Sequence, residues 1–474
     1  MDLGDNRPDR HGTRLRPLPG NPCGAGPACR HSVGPVAARG RNPPGIRTAM
    51  IARILIRLAL RNLRRHLRRT VLTASAMIVG GAFLAWSMTI DDGSHEQWVD
   101  SGVRMGSGHV TIERPEYRLR RQIDDRLPAD VSRAATQALA SPEVAPHVVT
   151  MSARLGINGL ASSAAGARPA QIIGVDPVAE AAFGTIDDGV TEGRYLEPDD
   201  RLAAYVGADL ARSLGLEVGS RFVVQAQGAD GEIAGQRLNV VGIFRSRVPA
   251  IDQTTIHITL ATAGEWLGSG SDVTNIAVVL RGSGRTRWVS DRLALALAEP
   301  VERGEARIVE WRDANPVLAA GVAIDEFGNY VIQGFLFVII AFAIVNTVLM
   351  SVMHRQREFG VLQAQGLTPG QTGTVVLIEG LTLSAISGLV GVGLGLLGTW
   401  YFFGDGFDSS VFMQGIDELT FSGTAVDPII VPIFGVRRLV QIVAFILGIG
   451  ILASVYPALR AARVDVTEAM KFDR

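Results

Sequence analysis

Cysteine is almost missing from this chain: there are two in 474 residues, Cys23 and Cys29. Their spacing matches no common zinc motif and no histidine cluster joins them, so they are read as incidental. The rest of the chain has no disulfide available and reports nothing about redox compartment. Lysine is scarcer still, since Lys471 is the one lysine among 46 basic residues. Those 46 face 46 acids, a formal net charge of zero, so no basic excess points to nucleic acid as a partner. No GxxxxGK[ST] loop occurs, which excludes ATP binding by that route, and no GxSxG nucleophile elbow occurs. Four of the histidines, His95, His109, His147 and His257, fall in the long middle stretch without ligand spacing between them. They are expected to be surface or core histidines. The reading is a non-enzyme: no catalytic residue, no metal site and no cofactor bound by this chain.

What the chain does have is long runs without charge. Thr70–Ile90, Val331–Met353, Gly380–Phe403 and Leu439–Leu459 each hold more than 20 residues free of Asp, Glu, Lys and Arg. A helix of that length covers a hydrocarbon core of about 30 Å. The expected fold is therefore an integral membrane protein of four transmembrane α-helices (70–90, 331–353, 372–403 and 438–459). A large α+β extracytoplasmic domain, 91–329, is inserted between the first and second. In that insert, strand-like runs at 109–113, 171–175, 221–226 and 238–244 mix with helix-like runs at 129–140, 207–216 and 287–297, without regular βαβ alternation.

Residues 1–49 are rich in Arg, Pro and Gly and lack apolar periodicity, and they read as a disordered or mis-assigned extension. Residues 50–69 set Ile51, Ile54, Leu55 and Leu58 against Arg53, Arg57, Arg61 and Arg64, the pattern of a cytoplasmic amphipathic helix. Arg clusters flank the inner side of membrane spans, so both termini, including the 460–474 tail, are assigned to the cytoplasm. The 404–437 loop then lies outside. Arg437 and Arg438 sit at the outer end of the fourth span and oppose that rule.

The connection 354–371, HRQREFGVLQAQGLTPGQ, is longer than a hairpin turn needs. Arg357, Glu358, Phe359, Gly360 and Leu362 suit a short amphipathic helix ended at Gly366. Glu379 lies about two turns into the next span, where an acid either is an anchor, reaching the headgroups or pairing with a basic residue of the tip, or serves a proton relay. Gly393, Gly395 and Gly398 fit GxGxxG but lie inside an apolar run rather than after a strand. The better reading of that region is packing: Ser387, Gly391, Gly395 and Thr399 recur every four residues and so share one helix face, which lets another helix approach closely.

The tip REFGVLQAQGLTPGQ, the following VLIEGLTLSAISGLVGVGLG and the closing YPALRAARVDVTEAMKF resemble the FtsX/MacB-like permeases of ABC transporters, of the lipoprotein-releasing and macrolide-exporter type. SGHVTI and VGADLARSLGLEVGSRF are similar to that type's extracytoplasmic domain. Gln363, Gln365 and Val466 depart from the usual pattern. The resemblance implies a bacterial inner-membrane subunit that pairs with a second permease chain, identical or paralogous. A separate ABC-type ATPase, which carries the ATP and Mg, would dock on Arg357, Glu358, Phe359, Gly360, Leu362 and Gly366. Phe359 and Leu362 would be the apolar plugs. Motion would pass through the lipid-embedded helices to an extracytoplasmic client such as a lipoprotein or lipid. The alternative is a membrane receptor or scaffold with a non-ATPase partner.

Overall fold

The computed structural model describes residues 67–184, 186–408, 420–421, 424–425 and 429–464. The 1–49 extension, the 50–69 helix up to residue 66, residues 409–419, 422–423 and 426–428 of the 404–437 loop and the tail from 465 lie outside them. Four described helices are long and apolar enough to cross a membrane. They are α1 (Leu67–Gly102), α6 (Pro316–His354), α8 (Pro369–Phe403) and α9 (Val436–Ala462), and a short α7 (Gln356–Ala364) joins α6 to α8.

All four helices outrun the uncharged stretches that announce them, α1 and α6 by the most. α1 has 36 residues and α6 has 39, about 54 and 58 Å of helix. Both ends of the 91–329 segment are helical and continuous with the long helices, 91–102 in α1 and 316–329 in α6. Charge alone does not stop a helix, and here the charges find partners as soon as the apolar run ends. Asp92 takes a bidentate ion pair from Arg438 of α9, at 2.6 to 3.0 Å. Asp100 accepts from Arg104 one turn on, at 2.7 Å. Both carboxylate oxygens of Glu96 accept from Ser283, each at 2.6 Å. The Asp92 pair also neutralises Arg438, one of the two basic residues that oppose the orientation expected from the sequence. Beyond the apolar stretch the two helices stay packed through Val99 and Val103 against Leu318, Val322 and Trp311. α6 opens on Asn315, whose side chain accepts from the Leu318 amide, with Pro316 in the first turn.

Between α1 and α6 the chain folds into ten strands in one sheet. In chain order they are β1 (Val110–Glu113), β2 (Val148–Ser163), β3 (Gly166–Val175), β4 (Val190–Gly193), β5 (Ala203–Gly207), β6 (Arg221–Gln227), β7 (Ile233–Phe244), β8 (Thr255–Thr259), β9 (Asn275–Leu280) and β10 (Arg307–Glu310). The order across the sheet is β10-β1-β9-β2-β3-β8-β5-β7-β4, with β6 pairing to β2 and β7. The sheet packs two cores. In one, Val110, Ile112, Ile276 and Val278 of β1 and β9 meet α2 (Ala129–Leu139) and α5 (Thr286–Ala296). α2 buries Val131, Ala135 and Leu139, one residue per turn on a single face. In the other, β2, β3, β6, β7 and β8 meet α3 (Ala208–Leu214) and α4 (Leu260–Leu267). β6 buries Phe222, Val224 and Ala226 and turns the alternate residues outward, as a sheet with one wet face requires. The 16-residue β2 runs through both cores and joins them. Gly108 carries the chain from α1 into β1 at φ +63, with the Val278 backbone so close that a Cβ would collide with it.

Around the four long helices, Phe335, Ile339 and Phe342 of α6, Leu397 of α8 and Leu452 of α9 stand outward and uncovered. A belt of that size needs lipid or another chain against it.

Candidate coupling site at the α6–α8 tip

α7 is held from both sides. α6 ends at His354, and Arg355 caps the next helix in a non-helical conformation. Gly366 then takes φ +102 with open space around it, so the backbone angle and not crowding calls for glycine there. Thr368 and Gln371 close a capping box on α8, each side chain bonding the other's backbone amide, and Pro369 fills the first helical position. Tip length and direction are thus fixed by five residues that the sequence pattern displays openly.

The centre of the tip is Arg355. Its side chain is 7% exposed and donates to Glu358 through Nε and to Glu379 through Nη1, both at 2.9 Å. The guanidinium also lies over the Phe359 ring, 5.0 Å from its centroid. Glu379 is therefore the partner of a tip arginine, one of the two roles open to it from the sequence. One cation binds α7 to α8 at the end of α6. Arg355 opens the charged run of the tip in the sequence. Its signal was an Arg placed directly after a long uncharged run, with Glu three positions on.

The apolar side of α7 faces the opposite way from the sequence expectation. Phe359 is 1% exposed and packs in the core formed by Val348 and Val352 of α6, Val376 of α8 and Ala458 and Ala461 of α9. Leu362 packs against the same core, and Gly360 is buried. Of the two expected plugs, Phe359 is thus turned inward, while Leu362 is only partly covered. Their burial pins α7 to the bundle, because an aromatic ring there loses more water contact than it would on a docking face. The outward face carries Arg357, Val361, Ala364 and Gln365, with Glu358 half exposed beside Arg355 and Gly366 exposed at the end.

Behind the tip, α8 runs through the middle of the bundle. Ser387, Gly391, Gly395 and Thr399 are all buried. A Cβ on Gly391 would meet the Ile78 carbonyl of α1 at 2.6 Å, and one on Gly395 would strike the Ala82 carbonyl. On its other side Gly380 abuts Ser454, Gly388 abuts Ile446, and Gly450 of α9 abuts Ser384. Small residues on two faces let α8 touch α1 and α9 at backbone distance. The GxGxxG match at Gly393, Gly395 and Gly398 is part of this continuous helix.

The far end of α1 is fastened to the sheet by a buried ion pair. Arg154 of β2 donates to Glu180 at 2.6 and 2.8 Å and to the Gly106 carbonyl just past α1, with its guanidinium over Phe183. Arg104 donates to the Phe183 carbonyl at 2.9 Å. Burial works against the charge on Glu180, yet Arg154 and the Ser152 hydroxyl hold its carboxyl below the usual range. His257 of β8 lines the same cavity of about 290 Å³. Full burial pushes its pKa down to about 4. No sequence spacing links Arg154, Glu180 and His257; the sheet order brings them together.

The FtsX-like permease C-terminal family matches residues 330–466. The lipoprotein-releasing system transmembrane protein LolC of Haemophilus influenzae is 23% identical over 344 residues, 69% of this chain and 79% of that protein. The macrolide export ATP-binding/permease protein MacB 1/2 of Paracoccus denitrificans is 25% identical over 88% of this chain and 58% of its own length. The periplasmic region of MacB from Actinobacillus actinomycetemcomitans covers 44% of this chain and 91% of that structure, with 12% identity and a TM-score of 0.31.

Proposed function

Because residues 330–466 are an FtsX-like permease domain and the chain's relatives are ABC transporter permeases, we propose that it passes motion from a separate cytoplasmic ATPase, which holds the ATP and Mg, to the α+β domain between α1 and α6. The observation that carries this reading is the Arg355 cluster. A tip helix tied by one buried cation to Glu379, and by Phe359 to the bundle core, cannot swing freely; force applied to its outer face enters α6 and α8 directly. The uncovered side of α6 suits a second permease chain or lipid. In this arrangement the tip and both termini are cytoplasmic and the α+β domain is outside. The client is a hydrophobic one, a lipoprotein or lipid, in keeping with spans that carry few ionisable groups.

The docking face consists of Arg357, Val361, Ala364 and Gln365, with Glu358 at its edge. The double substitution Arg357→Glu, Val361→Glu reverses its charge and removes its apolar contact while leaving Phe359 and Arg355 in place. Wild-type chain purified from its native membrane is expected to bring down an ABC-type ATPase in about equal amount, and the variant to lose it while inserting normally. Retention of the ATPase by the variant would sink the docking role. A different stoichiometric partner in the wild type would favour the receptor or scaffold reading.

A further inference from the structure

Where α1 and α6 leave their uncharged stretches, they bring four polar side chains to one point, two from each helix. Asp91 and His95 stand one turn apart on α1, and Asp325 and Asn329 one turn apart on α6. His95 Nε2 lies 2.7 Å from Asp325 Oδ2 and 3.6 Å from Asp91 Oδ1. The ligand atoms of these three residues all fall within 4.8 Å of one another. Asn329 Nδ2 is 3.3 Å from Asp325 Oδ2 and in contact with Asp91 Oδ1.

Two acids meet the same ring nitrogen here, and a neutral imidazole has a single Nε2 proton to share between them. The neighbouring acids on α1 are served differently: Asp92 has Arg438, Glu96 has Ser283 and Asp100 has Arg104. Arg438 is thus already engaged next to the cluster. Among the described residues neither Asp91 nor Asp325 forms an ion pair with an Arg or Lys, though Arg438 acts on Asp91 from a distance, and the ring nitrogen they share is itself a metal donor.

We propose that Asp91, His95 and Asp325 form a binding site for Zn²⁺ that ties α1 to α6, with Asn329 as the fourth ligand. One imidazole with carboxylates is a donor set that suits zinc, whereas Mg²⁺ and Ca²⁺ take oxygen ligands in larger number. Ligands on a tetrahedral Zn²⁺ at about 2.0–2.2 Å lie roughly 3.3 Å from each other. The distances of 2.7 and 3.6 Å from His95 Nε2 bracket that separation, so small side-chain adjustments admit the ion. Asn329 turns its amide nitrogen to the acids here; rotating the amide half a turn offers Oδ1 instead. Asp325 is 37% exposed and gives the ion a way in, while Asp91 and His95 are close to buried. The site stands on these side chains alone and does not depend on the chain's role in transport.

The test uses the full chain in lipid nanodiscs, stripped with EDTA and titrated with Zn²⁺ against a chromogenic chelator. One Zn²⁺ per chain is expected, together with a rise in Tm. His95→Ala and Asp325→Asn should each weaken binding about tenfold or more and abolish the Tm rise, while the remote His147→Ala should leave both intact. Should His95→Ala fail to fold, the Asp325→Asn variant, altered at the most exposed of the three ligands, decides the matter. Absence of stoichiometric binding, undiminished binding in Asp325→Asn, or equal competition by Mg²⁺ or Ca²⁺ would each overturn the proposal.

Discussion

Arg355 is a buried cation whose two carboxylates come from different helices, and its energetics follow from that position. Removing one member of a buried pair strands the other, at a cost of about 3–5 kcal/mol, whereas replacing both with apolar groups can be nearly neutral. Arg355→Met and Glu379→Gln should each lower stability by several kcal/mol in a denaturant melt in detergent. Arg355→Met with Glu379→Leu should be more stable than Arg355→Met alone. Additive losses would show that the pair is not coupled. His257 behaves as the opposite kind of buried group. Unfolded, it takes up a proton near pH 6.5, but folded only near 4, so between those values the unfolded chain binds more protons and stability falls as the pH drops. The loss across this window is about 3 kcal/mol and is complete once the pH is below 4. Glu180 acts in the same direction lower down: its contribution is present above its unfolded value of 4.5 and is lost as the pH falls through its depressed folded value. Thermal melts from pH 7 to 4 should show this decline, and His257→Gln should flatten it above pH 4.5. A decline unchanged by that substitution would remove His257 as its source.

At the scale of elements, α8 is the helix most dependent on the size of its residues. Gly391 faces the Ile78 carbonyl so closely that Gly391→Leu must push α1 away. Overpacking of this sort costs about 1–3 kcal/mol or more, and the loss should appear as a lowered Tm with parted α1 and α8. A cysteine crosslink between the two helices, formed in wild type and lost in the variant, measures the separation directly. Gly393→Leu, at a position with open space around it, should leave both unchanged. The four-residue recurrence of Ser387, Gly391, Gly395 and Thr399 made this face readable from the chain, because a helix repeats its faces on that period. Alternation likewise marked β6 and much of β7. β5, with Ala203 and Ala204, and β8, with Thr255, His257 and Thr259, gave no such signal, since strands buried on both faces need not alternate. The inward turn of Phe359 was hidden for a related reason: α7 has apolar residues on both faces, Phe359 and Leu362 on one and Val361 on the other. Only the packing of α6, α8 and α9 decides which side is covered. An uncharged run marks where a helix could cross a membrane but not where it ends, and α1 continues past Asp91 as α6 begins well before Asn329. The His95–Asp325 contact joins residues 230 apart and has no local trace at all.

Across the molecule, the reading stands or falls on which side of a membrane each part lies. The turn at Asp230–Gly231, between β6 and β7, and the outer face of α7 at Gln365 are both exposed. Single cysteines at Asp230 and Gln365, in a chain with Cys23 and Cys29 changed to serine, should differ in intact cells. An impermeant thiol reagent is expected to label position 230 and to reach 365 only after lysis. Labelling of both from outside would break the proposed arrangement. The lengths of α1 and α6 matter in the same frame. A helix of about 54 Å that pivoted by about 5° at its inner end would carry its far end sideways by about 5 Å, so on the proposed function a small displacement at the tip would reach β1 and β2 as a shift the size of a side chain. On the proposed function the protein would be geared: small strokes at the tip would become long ones at the sheet.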